Sequence, residues 1–209
     1  MENQSPTVYL VDDDPDILKA IDRLLQSVGL RVVTFLSPQQ FLEDYDRNAP
    51  ACLVLDLALP GLSGLELQRA LQEEANALPI IFLTGRGDIA SSVQAMKHGA
   101  ADFLTKPVND SDLIAAIHEA LARDQAQRLT LSERERVAKI FSSLTERERQ
   151  VLEQIVAGRL NKQIAADLGT AEKTIKFHRG NLMRKMGVRV VADLVKMAER
   201  AGVGLKSGA

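Results

Sequence analysis

With 45% apolar residues, no Trp and a single Cys among 209 residues, the chain suits one large or two small globular domains with aliphatic cores, and an internal disulfide is excluded. It has no unbroken apolar run of ~18 residues and no charged-then-apolar N-terminus, so neither a membrane span nor a signal peptide is expected and the cytoplasm is the expected compartment. The formal charge of −2 hides a division, because residues 1–122 carry 8 Lys+Arg against 18 Asp+Glu (net −10) while residues 123–209 carry 18 against 10 (net +8). An acidic half favours cation chemistry, and a basic half favours a polyanion such as nucleic acid.

Short β-rich apolar runs recur along the acidic half: "TVYLV" (7–11), "RVVTF" (31–35), "CLVLDL" (52–57), "PIIFLT" (79–84) and "ADFL" (101–104). Stretches of helical period separate them, such as Ile17, Leu18, Ile21, Leu24, Leu25 and Val28, closed by Gly29. Five alternations in this span predict a parallel sheet covered by helices on both faces. Cys52 lies inside the third run and reads as a small buried residue.

Ligands of open α/β sheets sit beyond the carboxyl ends of the strands, so those ends carry the functional reading. The first strand runs into Asp12, Asp13 and Asp14, the third into Asp56, the fourth ends at Thr84 before Gly85, and the fifth is followed by Lys106–Pro107. Clustered carboxylates repel one another, and a hard cation such as Mg²⁺ relieves that repulsion through oxygen ligands. A hydroxyl and an ammonium beside the cation suit a phosphoryl group. The set therefore reads as a phosphoryl-transfer site at which Asp56 becomes an acyl phosphate.

Two other readings fail on spacing. "DDDPDI" opens like an EF-hand loop, but its sixth position is Ile17 rather than Gly and its twelfth is Arg23 rather than Glu. A magnesium-dependent phosphatase using an aspartyl phosphate needs a second Asp two residues on, and Asp56-Leu57-Ala58 lacks it. Taken singly, Thr84 reads as a strand-end hydroxyl and Phe103 as a core residue; only their joint placement lifts them. His98 and His118 have no partner at metal-ligand spacing and receive no role.

The motifs "VDDD", "LDLALPGLSGLEL", "LTGRGD" and "GAADFLTKP" resemble a response-regulator receiver domain over residues 6–122. The resemblance implies a flavodoxin-like fold, a five-stranded parallel sheet in the order 2-1-3-4-5. It makes Asp56 the phosphoacceptor, with Asp13, Asp56 and the backbone carbonyl of Ala58 as direct Mg²⁺ ligands and Asp12 acting mainly through water. Lys106 would pair with a phosphoryl oxygen, Thr84 would be drawn towards it, and Phe103 matches the aromatic that turns inward on activation. Lys106–Pro107 resembles the family's cis peptide.

Residues 123–143 contain no Gly or Pro and are rich in Arg, Glu and Gln, which predicts a charged helical connector rather than a flexible linker. Within it, "LSERER" (131–136) nearly duplicates "LTERER" (144–149), and both fit a capping box, Ser132 with Glu135 and Thr145 with Glu148. The downstream residues separate the two copies. After Thr145 come a helical stretch, Gly158 and "NKQIAADLG"; after Ser132 only "RVAKIFSS" precedes Leu144. The first copy is expected to be a helix start or a passing resemblance, and a domain is expected to begin at the second.

In the basic half, a helix to Gly158, a short helix to Gly169 and a longer one capped by Thr170 fit a helix-turn-helix. Ile175, Leu182 and Met186 form its buried stripe, while Lys173, Lys176 and Arg179 recur on a face suited to a major groove. Lys162, Arg184 and Lys185 are placed to meet phosphates.

Leu144–Leu152, Gly158, "NKQIAADLG", "TIKFH" and "KMGV" resemble the LuxR-type DNA-binding domain of FixJ/NarL regulators over residues 141–202. The match implies an all-α four-helix domain (144–202) before a loose tail (203–209), with Lys176, Phe177 and Gly180 facing bases and Thr174 and His178 within the same element. Gly180 departs from relatives that place a longer side chain there, which shifts readout to Arg179 or to DNA shape. The last helix, "VADLVKMAER", matches the element that pairs subunits on DNA. The whole chain is thus expected to be a two-component response regulator rather than an enzyme, with at most magnesium-dependent self-phosphorylation and autodephosphorylation at Asp56. A sensor histidine kinase, promoter DNA, RNA polymerase and a second copy of the chain are its implied partners. The alternative is a DNA-binding regulator with a vestigial receiver that works without phosphorylation.

Overall fold

Each of the five apolar runs is a strand in the computed structural model, which describes residues 5–72, 78–85 and 89–200. The chain forms two compact units, residues 1–129 and 130–209.

The first unit alternates β1 (Thr7–Val11), α1 (Pro15–Ser27), β2 (Arg31–Phe35), α2 (Pro38–Asp44), β3 (Ala51–Asp56), α3 (Gly64–Gln72), β4 (Ile80–Thr84), α4 (Ile89–Lys97) and β5 (Asp102–Thr105), then enters α5 (Asp110–Ser142). The strands form one parallel sheet in the order β2-β1-β3-β4-β5, as the family resemblance implies. β1, β3 and β4 are buried along their whole length, which is why they read as continuous apolar runs rather than alternating ones.

Side chains on a strand alternate between its two faces, and the two cores follow that period. Val8, Leu10, Cys52, Val54, Ile81 and Leu83 pack with Leu18, Ile21 and Leu25 of α1 and with Leu113 and Ile117 of α5. Tyr9, Val11, Leu53, Leu55 and Phe82 pack on the other side with Phe41, Leu67 and Leu71. Tyr9, Phe35, Phe41 and Tyr45 form an aromatic cluster there, with Phe41 and Tyr45 stacked at 4.6 Å between centroids. Cys52 is fully buried, and burial first, then the charge of Asp124, pushes its thiol pKa well up, so it stays an unreactive thiol.

Asp124 is the unusual member of this unit. Its carboxylate is fully buried on α5, and Oδ2 accepts the backbone N–H of Ala51 at 3.0 Å, where β3 begins. Arg128 donates to the same oxygen at 2.7 Å and reaches the carbonyls of Arg47 and Asn48. A buried charge is tolerated when paired and hydrogen-bonded, so these contacts tie α5 to the start of β3.

α5 continues without a break to Ser142. Ser132 lies in its interior, so the first "LSERER" copy starts no helix, and the passing resemblance is the correct alternative. The second unit then forms α6 (Glu146–Val156), α7 (Asn161–Asp167), α8 (Glu172–Met186) and α9 (Val191–Arg200) around a core of Val151, Leu152, Ile155, Ile164, Ile175, Leu182, Met186 and Leu194. Thr145 caps α6 in a full capping box: its hydroxyl accepts the Glu148 N–H, and Glu148 Oε2 accepts the Thr145 N–H at 2.8 Å.

Gly158 and Gly169 close α6 and α7 with φ of 74° and 60°, a region glycine enters without a Cβ clash. One expectation is corrected here. Ala171, not Thr170, is the N-cap of α8, and no side chain caps it. Thr170 is used one step earlier, its N–H closing α7 on the Ala165 carbonyl at 2.9 Å. The expected tail, 203–209, lies outside the described residues.

Candidate functional site

Strand register assembles the first site. Val11 pairs with Leu55, so the next residues, Asp12 and Asp56, emerge side by side at the carboxyl end of the sheet. Asp56 pairs with Leu83 and Thr84 with Thr105, which brings Thr84 and Lys106 to the same end. β1 and β3 flank the point where the strand order reverses, the ordinary ligand position of an open α/β sheet.

Asp12, Asp13 and Asp56 each present a carboxylate oxygen within 4.8 Å of the others. Asp12 and Asp56 are buried and Asp13 is exposed. Asp14, although it continues the same run, is absent from this cluster. It caps α1, accepting the N–H groups of Asp16 and Ile17, while Asp12 Oδ1 accepts the Asp14 N–H at 2.9 Å. Three converging hard oxygen donors, two of them desolvated, fit a divalent cation of the Mg²⁺ type. Ala58 stands exposed in the loop two residues beyond Asp56.

Lys106 reaches back across the site. Its ammonium lies 2.6 Å from Asp12 Oδ2 and 3.1 Å from Asp56 Oδ1. Burial alone would lower its pKa, but hydrogen bonds and charge from Asp12 and Asp56 outweigh that and hold it above the usual lysine value. The group is therefore a fixed cation that answers part of the carboxylate charge. The Lys106–Pro107 peptide is cis, and the Lys106 N–H donates to the Thr84 carbonyl at 2.6 Å. Thr84 is buried, with its hydroxyl donating to the Gly85 carbonyl at 3.2 Å. Phe103 is half-buried, its ring 6.5 Å from that of Phe82.

Gly64, within the quoted "LDLALPGLSGLEL", was not singled out from sequence. A Cβ at this position would stand 3.0 Å from the Asp56 carbonyl oxygen and 3.1 Å from the Phe82 ring. Its missing side chain lets α3 start against the backbone of the phosphoacceptor candidate. The clue in the sequence is a glycine at a helix start whose neighbours Ser63 and Glu66 already form a reciprocal cap, Ser63 N–H to Glu66 Oε2 at 2.9 Å.

In the second unit, Lys173, Lys176, Phe177, Gly180 and Arg184 of α8 are exposed, as is Lys162 at the start of α7. Ile175, Leu182 and Met186 are buried, as their spacing predicts. Thr174 and His178 are half-buried, the His178 ring lying edge-on to Phe177 at 5.9 Å. Among the described residues, Lys176 holds only an exposed pairing with Glu172 at 3.2 Å.

Two of the basic residues are engaged inside the fold. Arg179 is half-buried and donates to Asn161 Oδ1 at 2.9 Å, linking α8 to α7. Lys185 donates to Glu148 Oε2 at 2.7 Å and to the Ser143 carbonyl at 3.2 Å. The Lys185 hydrogen bond leads the causes that lower the Glu148 pKa, helped by the Thr145 N–H and hydroxyl against a smaller opposing effect of burial. Lys185 thus has a structural use that its sequence position did not reveal. No helix among the described residues is long and apolar enough to cross a membrane.

Comparison with known proteins finds the response regulator receiver domain over residues 8–118 and the bacterial regulatory proteins, luxR family, over residues 142–198. The response regulator protein TmoT of Ectopseudomonas mendocina is 44% identical over 99% of this chain and 94% of its own length. The transcriptional regulatory protein FixJ of Azorhizobium caulinodans is 41% identical over 96% of this chain and 95% of its own. Among solved structures, the response regulator StyR superposes with a TM-score of 0.89 at 43% identity, covering 94% of this chain and 99% of its own.

Proposed function

The chain belongs to the two-component response regulators that join a receiver domain to a LuxR-type DNA-binding domain, and on that basis we propose that a sensor histidine kinase phosphorylates Asp56 and so promotes dimerisation and promoter binding. A carboxylate oxygen of Asp56 forms the bond to phosphorus as the P–N bond of a kinase phosphohistidine breaks, its electron pair leaving on the imidazole nitrogen. Asp13, Asp56 and the Ala58 carbonyl would hold Mg²⁺ directly and Asp12 through water, and the cation supplies charge neutralisation on the phosphoryl oxygens.

The observation that carries this reading is the Lys106 ammonium held between Asp12 and Asp56, with Thr84 at the neighbouring strand end. Once Asp56 carries a phosphoryl group, Lys106 trades its contact with the carboxylate for a phosphoryl oxygen. Thr84 exchanges the Gly85 carbonyl for the same group, and Phe103 moves into the space beside Phe82. The face formed by α4, β5 and the first turns of α5 changes with them and pairs two copies of the chain. In the second unit, α8 enters the major groove, α9 pairs subunits on DNA, and the bound dimer meets RNA polymerase. The protein works in the cytoplasm and, apart from phosphorylating and dephosphorylating itself at Asp56, catalyses nothing.

Acetyl phosphate or beryllofluoride with Mg²⁺ is expected to shift the full chain towards dimers, measured by light scattering after size exclusion, and Asp56→Asn is expected to abolish the shift. An unchanged oligomeric state, with Asp56→Asn binding DNA as wild type does, would leave the phosphorylation-independent regulator as the correct account.

A further inference from the structure

Gly180 is a glycine without a folding reason. It stands exposed in the interior of the 15-residue α8 and has no left-handed φ, unlike Gly158, Gly169 and Gly187. Among the described residues, a Cβ built there meets nothing within 4 Å, whereas one at Gly64 would strike backbone and ring. In a helix interior only proline is a poorer choice than glycine, so the isolated unit is made less stable by this residue.

Its surroundings point outward. Phe177, three residues earlier and therefore adjacent on the helix surface, is 65% exposed. Lys173, Lys176 and Arg184 are exposed on the same stripe at helical spacing. An aromatic ring beside a bare stretch of backbone, flanked by cations and carried by the basic half of the chain, is a poor solvent surface and a good complement to a polyanion with apolar features. The major groove of DNA offers such a feature, the C5-methyl group of thymine, and phenylalanine is among the side chains that contact it.

We propose that Phe177 and Gly180 together form a thymine-methyl site on α8. The phenyl ring packs on the methyl, and the absent Gly180 side chain leaves room for the base-pair edge to approach the helix backbone. The inference rests on the DNA-binding reading of the second unit and adds to it the base that is recognised and the reason for the glycine.

The test uses the full chain, activated with acetyl phosphate and Mg²⁺, and a duplex that it enriches from a random-sequence library. Each dT of that duplex is replaced in turn by dU, which removes only the methyl group. At one or more positions in each half-site, binding by wild type is expected to weaken about fourfold, the worth of one buried methyl-sized group. Phe177→Ala is expected to be indifferent to the same replacements.

Gly180→Ala is expected to raise the melting temperature of the second unit. It should weaken binding to the enriched duplex about tenfold, the cost of one poorly fitted base pair, and leave binding to random duplex unchanged. Indifference of wild type to dU at every position would overturn the proposal. So would Gly180→Ala binding as tightly as wild type, or melting lower, because the glycine would then have no partner or would have a folding role after all. Failure of wild type to enrich any sequence would be a different result: it would remove the DNA-binding reading itself, and this inference with it.

Discussion

The two units carry their functional groups in opposite ways. In the first, Asp12, Asp56 and Thr84 are buried, and Lys106 makes two ion pairs within the site. In the second, Lys173, Lys176, Phe177 and Gly180 stand in solvent, and among the described residues the only pairing on that stripe is the exposed one between Lys176 and Glu172. A site that performs chemistry on a small group must desolvate and orient its charges before the substrate arrives. A surface that docks on a polyanion keeps its charges solvated until contact, because counterion release on binding supplies much of the affinity. Function in the first unit is therefore found by tracing contacts, and in the second by finding residues that the fold does not use.

Substitutions probe that contrast. The largest loss is expected from Asp124→Ala, which orphans the Ala51 N–H and takes one of its hydrogen-bond acceptors from Arg128. About 3 kcal/mol should disappear from the urea unfolding of the first unit. A loss below about 1 kcal/mol would show that water readily replaces the carboxylate. Gly64→Ala should cost about 2 kcal/mol by overpacking against the Asp56 carbonyl and Phe82. It should also weaken beryllofluoride binding, followed by fluorescence or NMR, and normal binding would mean that α3 shifts freely.

In the second unit the buried exception is Glu148. Its folded pKa is lowered, chiefly by Lys185, so the stabilisation it contributes is present above the ordinary carboxylate range and is lost as pH falls through the folded value. Melting temperature should therefore fall more steeply for wild type than for Glu148→Gln once pH drops below the ordinary glutamate value of 4.5; parallel curves there would sever the assignment. At neutral pH, Glu148→Gln should cost about 1.5 kcal/mol.

The smallest pair separates the two near-identical stretches. Thr145→Ala should cost about 1 kcal/mol by removing a cap, whereas Ser132→Ala, inside α5, should be neutral or stabilising by a few tenths, about the difference in helix propensity. Equal losses would mean that Ser132 has a partner after all.

Much of this was legible beforehand, for identifiable reasons. Fully buried parallel strands announce themselves as unbroken apolar runs, and Asp12, Asp56, Thr84 and Lys106 were readable because each stands at a strand end. Asp14, by contrast, looks like a fourth ligand in one dimension and is a helix cap in three. Ser132 and Thr145 have the same local chemistry, and a capping box exists only where the backbone ahead of it is extended, as it is at Thr145 with ψ of 157°.

The order of residues alone was enough to establish the alternation that builds the sheet, the strand-end residues that meet at its carboxyl edge, the helix-turn-helix and the opposite charges of the two halves. These are local or periodic properties, written along the chain. Packing in three dimensions was needed to establish that Asp124 ties α5 to the start of β3, that Lys185 is held by Glu148, that Gly64 makes room for Asp56 and that Gly180 makes room for nothing among the described residues of the fold. Each of these depends on what lies across space from a residue, and a one-dimensional pattern carries no record of that distance.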